Sequence, residues 1–82
     1  MSRERIEREV LKALAAQAPL HVMDLSNIIT EHPVSVDLAC ARLHKQNQTF
    51  PVGRGVYDVT DRGWRRLEAL DDGQQESSRL EG

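Results

Sequence analysis

Two short runs of strand-forming residues, Thr49-Phe50-Pro51-Val52 and Val56-Tyr57-Asp58-Val59, are joined by Gly53-Arg54-Gly55. Glycines on both sides of one arginine suit the tip of a tight hairpin. Pro51 has no N–H to give a neighbouring strand, so the first run belongs at a sheet edge. The remainder of the chain carries mostly helical periodicity, which makes this an α+β chain with its hairpin set among helices. A third extended piece, Leu20-His21-Val22, is too short to be stable alone, but it is placed to add to the hairpin.

Around the hairpin the apolar spacing predicts four helices. Over residues 2–18, Ile6, Val10 and Leu14 recur every four positions, with Leu11 and Ala18 beside them. Ser2 is the expected N-cap, Glu4 and Arg8 form a favourable i,i+4 pair, and the helix stops before Pro19. Asp24 is expected to open a short second helix with Leu25, Ile28 and Ile29 as its apolar face. A tight connection, Glu31-His32-Pro33-Val34, leads to a third helix with Ser35 as N-cap, running over about 35–46. Its inner face is Val36, Ala39, Cys40 and Leu43, and about half a turn away lie Leu38, Ala41, Arg42 and Lys45, at ~100° per residue. Thr60 then caps a last helix over about 61–70, with Val59 and Trp64 spaced as a hydrophobic staple and Trp64, Leu67 and Leu70 on one face. Gly73 is a reasonable stop. Residues 1–73 are expected to form one domain and 74–82 a disordered polar tail.

Eighty-two residues provide one modest core and little room for a buried catalytic cavity. No nucleophile, base and orienting group stand together: Ser26, Ser35 and Thr60 suit helix surfaces or caps, and Gly53-Arg54-Gly55 leads into a strand, not into the helix a phosphate loop needs. No enzyme activity and no cofactor are expected. Cys40 and His44 have the i,i+4 spacing of two ligands on one helix face, and His32 is the only nearby addition. A metal site needs three or four ligands, and Cys40 falls on the apolar stripe, so a buried structural cysteine is the reading and no metal is expected. A single cysteine excludes an internal disulfide, no apolar run approaches transmembrane length, and the start of the chain has no apolar signal core. The expected location is the cytoplasm.

The net charge is −2, but its distribution is uneven. Residues 71–82 carry Asp71, Asp72, Glu76 and Glu81 against Arg79. Residues 35–66 carry Arg42, Lys45, Arg54, Arg62, Arg65 and Arg66 against Asp37, Asp58 and Asp61, a local excess of +3. The basic excess therefore coincides with the third helix, the hairpin and the start of the last helix.

Two short helices joined by a tight turn form a helix-turn-helix unit. With the hairpin behind it, and with the order α1-β1-α2-α3-β2-β3-α4, the chain resembles the winged-helix family of transcription regulators over about residues 5–70. The stretch GRGVYDVTDRGWRRLEAL looks like the signature G-x-Y-x-[LV]-T-x-x-G-x-x-x-L of small PadR-like and haloarchaeal repressor-like regulators, through Gly55, Tyr57, Val59, Thr60, Gly63 and Leu67. HPVSVDLACARLHKQ is similar to the family's recognition helix. Family members usually carry glycine and then an aliphatic residue between that helix and the wing, where this chain has Asn47-Gln48-Thr49-Phe50.

The resemblance implies a double-stranded DNA-binding transcriptional regulator, repressor-like and dimeric, with helix 35–46 in the major groove. The candidate DNA-binding residues are Ser35, Asp37, Leu38, Ala41, Arg42, Lys45 and Arg54. Arg42 is expected on a guanine edge or a phosphate, Leu38 and Ala41 on thymine methyls, Ser35 with free backbone N–H groups on a phosphate, Lys45 on phosphate, and Arg54 in the minor groove or on the backbone. Ile6, Trp64, Leu67 and Leu70 are the candidate dimer contacts. The alternative is a winged helix used as a protein-interaction module, favoured by the weak basic excess, the short wing and the apolar Leu38 and Ala41.

Overall fold

The computed structural model describes residues 3–70. Helix α1 spans Arg3–Gln17, strand β1 Leu20–His21, helix α2 Val22–Ile29, helix α3 Pro33–Lys45, strand β2 Thr49–Gly53 and strand β3 Val56–Val59. A fourth helix, α4, covers 61–70. The described residues are thus α+β, with four helices and one three-stranded antiparallel sheet in the order β1-β3-β2. The expected cap Ser2, the stop at Gly73 and the tail 74–82 lie outside the described residues. Among the described residues no helix is long and apolar enough to cross a membrane.

Leu20 and His21 add to the hairpin as anticipated, opposite Tyr57 and Val56. Thr49 pairs with Val59, Phe50 with Asp58, Pro51 with Tyr57 and Gly53 with Val56, leaving Val52 as an extra residue that bends the edge strand. Pro51 sits on the edge strand β2, where its missing N–H interrupts no ladder between neighbours. The Val22 N–H donates to the Gly55 carbonyl at 2.8 Å, tying the start of α2 to the hairpin turn.

The starts of α2 and α3 differ from the sequence reading for one shared reason. His21 Nδ1 accepts from the Met23 N–H at 3.0 Å, and His32 Nδ1 accepts from the Val34 N–H at 3.1 Å. Each imidazole does what a serine or aspartate does at an N-cap. Helix α2 therefore begins at Val22, leaving Asp24 in its first turn instead of at its opening. Its buried face becomes Val22, Leu25 and Ser26 with Ile29, and Ile28, expected on that face, is 45% exposed. Helix α3 begins at Pro33, whose fixed φ and absent N–H suit the first helical position. Ser35 is consequently a residue of the first turn and not the N-cap.

Val10, Leu11, Ala13 and Leu14 of α1 meet Val22 and Leu25 of α2, Val36, Ala39, Cys40 and Leu43 of α3 and Leu67 of α4 in one core. Ile6, Leu20, Ile29, Tyr57 and Val59 close its margins. Thr60 caps α4 as expected: its Oγ1 accepts from the Gly63 N–H at 3.1 Å and donates to the Asn47 carbonyl at 2.6 Å. Of the expected apolar face of α4 only Leu67 is buried, with Trp64 42% and Leu70 36% exposed.

Candidate functional site

Helix α3 is sharply two-sided. Val36, Ala39, Cys40 and Leu43 are wholly buried, while Val34, Asp37, Leu38, Ala41, His44 and Lys45 are exposed. Spacings of three and four residues put those six on one continuous stripe along the helix. Leu38 is 54% exposed, so the helix is rotated as the spacing of its inner face requires. Val34, at 59% exposed, is part of the same stripe and was not singled out by the sequence pattern. Phe50 and Val52 add exposed apolar surface on β2, and Arg54 is exposed in the hairpin turn.

Arg42 lies off this stripe. Its Nε donates to Glu7 Oε2 at 2.8 Å, and its side chain is 29% exposed. Glu7 is itself buried and also accepts from Arg66 Nη1 at 3.1 Å. The same Arg66 nitrogen donates to Gln48 Oε1 at 2.9 Å. Arg42, expected on a guanine edge or a phosphate, is turned towards Glu7 and bonds α3 to α1. Glu7 is the polar residue that the sequence reading missed. Its signal was present, because Glu7 stands at i before Val10, Leu11 and Leu14 at i+3, i+4 and i+7, a carboxylate on an apolar stripe.

The expected phosphate cradle at Ser35 is also reduced. Pro33 has no N–H and the His32 ring takes that of Val34, so the helix start offers fewer donors than expected. Ser35 is partly exposed within that first turn. Of the candidate dimer contacts, Leu67 is 6% exposed and belongs to the protein's own core. Ile6 is packed against that core, and Trp64 and Leu70 remain half-exposed.

Cys40 and His44 do not share an environment: Cys40 is buried and His44 is exposed. Burial, and secondarily the charge of Asp37, push the Cys40 thiol up to about 12. Tyr57 is also raised, first by burial and then by Cys40 and Asp37, which places its phenol near both.

Both glycines of the hairpin-to-α4 motif have a local reason. Gly55 has φ +72°, and a Cβ there would lie 2.9 Å from His21 Nε2. A Cβ on Gly63 would lie 2.2 Å from the Gln48 carbonyl oxygen and 2.7 Å from Val59 Cγ2, a contact that no side chain tolerates. Asn47 occupies the left-handed region at φ 61°, a conformation that asparagine tolerates better than most side chains. The Asn47 N–H reaches the His44 carbonyl at 2.9 Å and the Gln48 N–H reaches that of Leu43 at 2.8 Å, closing α3 with a Schellman motif.

Among the described residues the arrangement is thus a helix with one exposed side, followed by a hairpin with an arginine in its turn. The chain matches no protein-family model and no curated protein sequence.

Proposed function

We propose that this domain is a winged helix that binds double-stranded DNA as a dimeric transcriptional regulator, with α3 in the major groove and the Arg54 turn as the wing. The observation that carries the reading is the one-sided burial of α3. Its inner face is wholly enclosed, its outer stripe runs unbroken from Val34 to Lys45, and it follows α2 after the short link Thr30–His32. A helix held in this way and left open on one side fits a groove about 12 Å wide.

In this reading Val34, Leu38 and Ala41 meet thymine methyls, and Asp37 accepts from a cytosine amino group. Lys45 and Arg54 neutralise phosphate, while Arg54 is also placed to enter a minor groove. Arg42 holds α3 in place and reads no base. Trp64 and Leu70, both partly exposed, are the candidate surface for a two-fold contact.

The test is fluorescence anisotropy with a random duplex at low and raised salt. Binding is expected to fall steeply with salt, and Lys45→Ala and Arg54→Ala are each expected to reduce the log–log salt slope by about 1. The double variant Lys45→Glu/Arg54→Glu is expected to abolish binding. Undiminished affinity in that double variant would sink the proposal.

A second reading rests on a specific observation. Val34, Leu38, Phe50 and Val52 are each 40% exposed or more, and Asp37 is the only ionised group among the first half of the α3 stripe. Such a surface also suits a protein partner. Absence of DNA binding even at low salt supports this reading over the first.

A further inference from the structure

A helix seated in a major groove meets base edges chiefly through its N-terminal residues. The exposed residues of α3 as far as Ala41 are Val34, Asp37, Leu38 and Ala41. Each base asks for a particular group. A guanine edge asks for the donors of arginine or lysine, an adenine edge for asparagine or glutamine, and a thymine for an apolar contact with its C5-methyl. The exposed stripe of α3 holds no arginine, asparagine or glutamine. The single arginine of the helix, Arg42, is bonded to Glu7 at 2.8 Å, and Lys45 stands in the last turn. Gln46, just beyond, has its Oε1 taken by Gln48 at 2.9 Å. Ser35, partly exposed, can bond to any base and discriminates none. Asp37 opposes the two acceptors of a guanine edge.

We infer, resting on the DNA reading above, that α3 selects its duplex by C5-methyl groups, so that its half-site is a run of thymines and not a guanine-centred sequence. Val34, Leu38 and Ala41 follow one another at spacings of four and three residues, which sets them in one line along the helix. Val34 and Ala41 stand about 10 Å apart along the axis, the rise of about three base steps, so one line of side chains matches one short run of methyl groups. Val34 is 59% and Leu38 54% exposed, which leaves most of the apolar area of both to be covered. Lys45 at the end of the stripe and Arg54 in the hairpin turn are exposed cations suited to phosphate, which favours a polyanion over an apolar protein partner on this face.

The test is fluorescence anisotropy of the full chain with duplexes that differ only in a central run: thymines on one strand, deoxyuridines in their place, or guanines. Uracil lacks only the C5-methyl and keeps the minor-groove edge, so any contribution of Arg54 there is held constant. The thymine duplex is expected to bind at least ~5-fold more tightly than the uracil duplex, the scale of a few methyl groups withdrawn from water. It is also expected to bind more tightly than the guanine duplex. Leu38→Ala, at an exposed position outside the core, is expected to reduce the thymine-to-uracil ratio at least ~2-fold. Lys45→Ala is expected to weaken both duplexes and keep the ratio. Salt-dependent binding with equal affinity for thymine and uracil overturns this inference and leaves the DNA reading standing, and so does tighter binding of the guanine duplex. Failure of every duplex to bind at low salt overturns both and favours the protein partner.

Discussion

At Cys40, burial and a neighbouring carboxylate act on the same sulfur atom. In the unfolded chain the thiol ionises near 9.0, and in the folded protein burial holds it up to about 12. Between those values the folded state binds the proton and the unfolded state has lost it, so stability is complete below about 9 and falls as pH rises towards 12. Wild type is expected to lose about 1 kcal/mol more than Cys40→Ala between about pH 8.5 and pH 10, read from urea unfolding at each pH. Parallel alkaline limbs for the two proteins would remove this account. The burial of Cys40 was legible in the sequence, because it shares the stripe of Val36, Ala39 and Leu43. Asp37 precedes it by one helical turn, which was legible too. The nearness of Tyr57 was not, because it depends on how the sheet lies against α3.

The elements of this protein are held in register mainly by their joints. Asn47 ends α3 in the left-handed region, Thr60 starts α4 while bonding back to the Asn47 carbonyl, and Gly63 lets α4 approach the Gln48 backbone. Gly63→Ala places a methyl against a carbonyl that cannot rotate away, and is expected to cost about 2–3 kcal/mol in urea unfolding. A loss under ~0.5 kcal/mol, as for an ordinary surface change, would show that the close approach is not required. The same joints explain which parts of the fold the sequence disclosed. The hairpin, the edge position of Pro51, the third strand at Leu20 and the cap at Thr60 all follow from local chemistry that rarely has a second meaning. The starts of α2 and α3 were misplaced because histidine is not a usual cap, although a neutral Nδ1 accepts an N–H as a hydroxyl oxygen does. The motif residues Gly55, Tyr57, Val59, Thr60, Gly63 and Leu67 all serve turns, caps and core. A resemblance carried by them therefore speaks for a fold and is silent about a partner.

Across the whole molecule, Glu7 is the point where three helices meet through charge. Its carboxylate on α1 accepts from Arg42 on α3 and from Arg66 on α4. That convergence was hidden from the sequence because Glu7 and Arg66 lie 59 residues apart. Glu7→Ala takes the carboxylate from two arginines, each about a quarter exposed, leaving Arg66 with Gln48 alone, and is expected to cost about 2–4 kcal/mol. Arg42→Ala removes one of the two bonds and is expected to cost less. The double variant is expected to fall short of the sum by at least ~0.5 kcal/mol, since both changes break one contact. If the domain binds DNA as proposed, this coupling decides how a loss of binding at Arg42 is to be read. If Arg42 acts by holding α3, then at a temperature where both variants are fully folded Arg42→Ala and Glu7→Ala lower DNA affinity to a similar extent, and neither changes the salt slope. If Arg42 swings out to the duplex on binding, Arg42→Ala reduces affinity and salt slope while Glu7→Ala, which frees the guanidinium, preserves or increases both. The structure, with Arg42 turned towards α1, predicts the first outcome, and anisotropy titrations of the two variants at two salt concentrations distinguish it from the second.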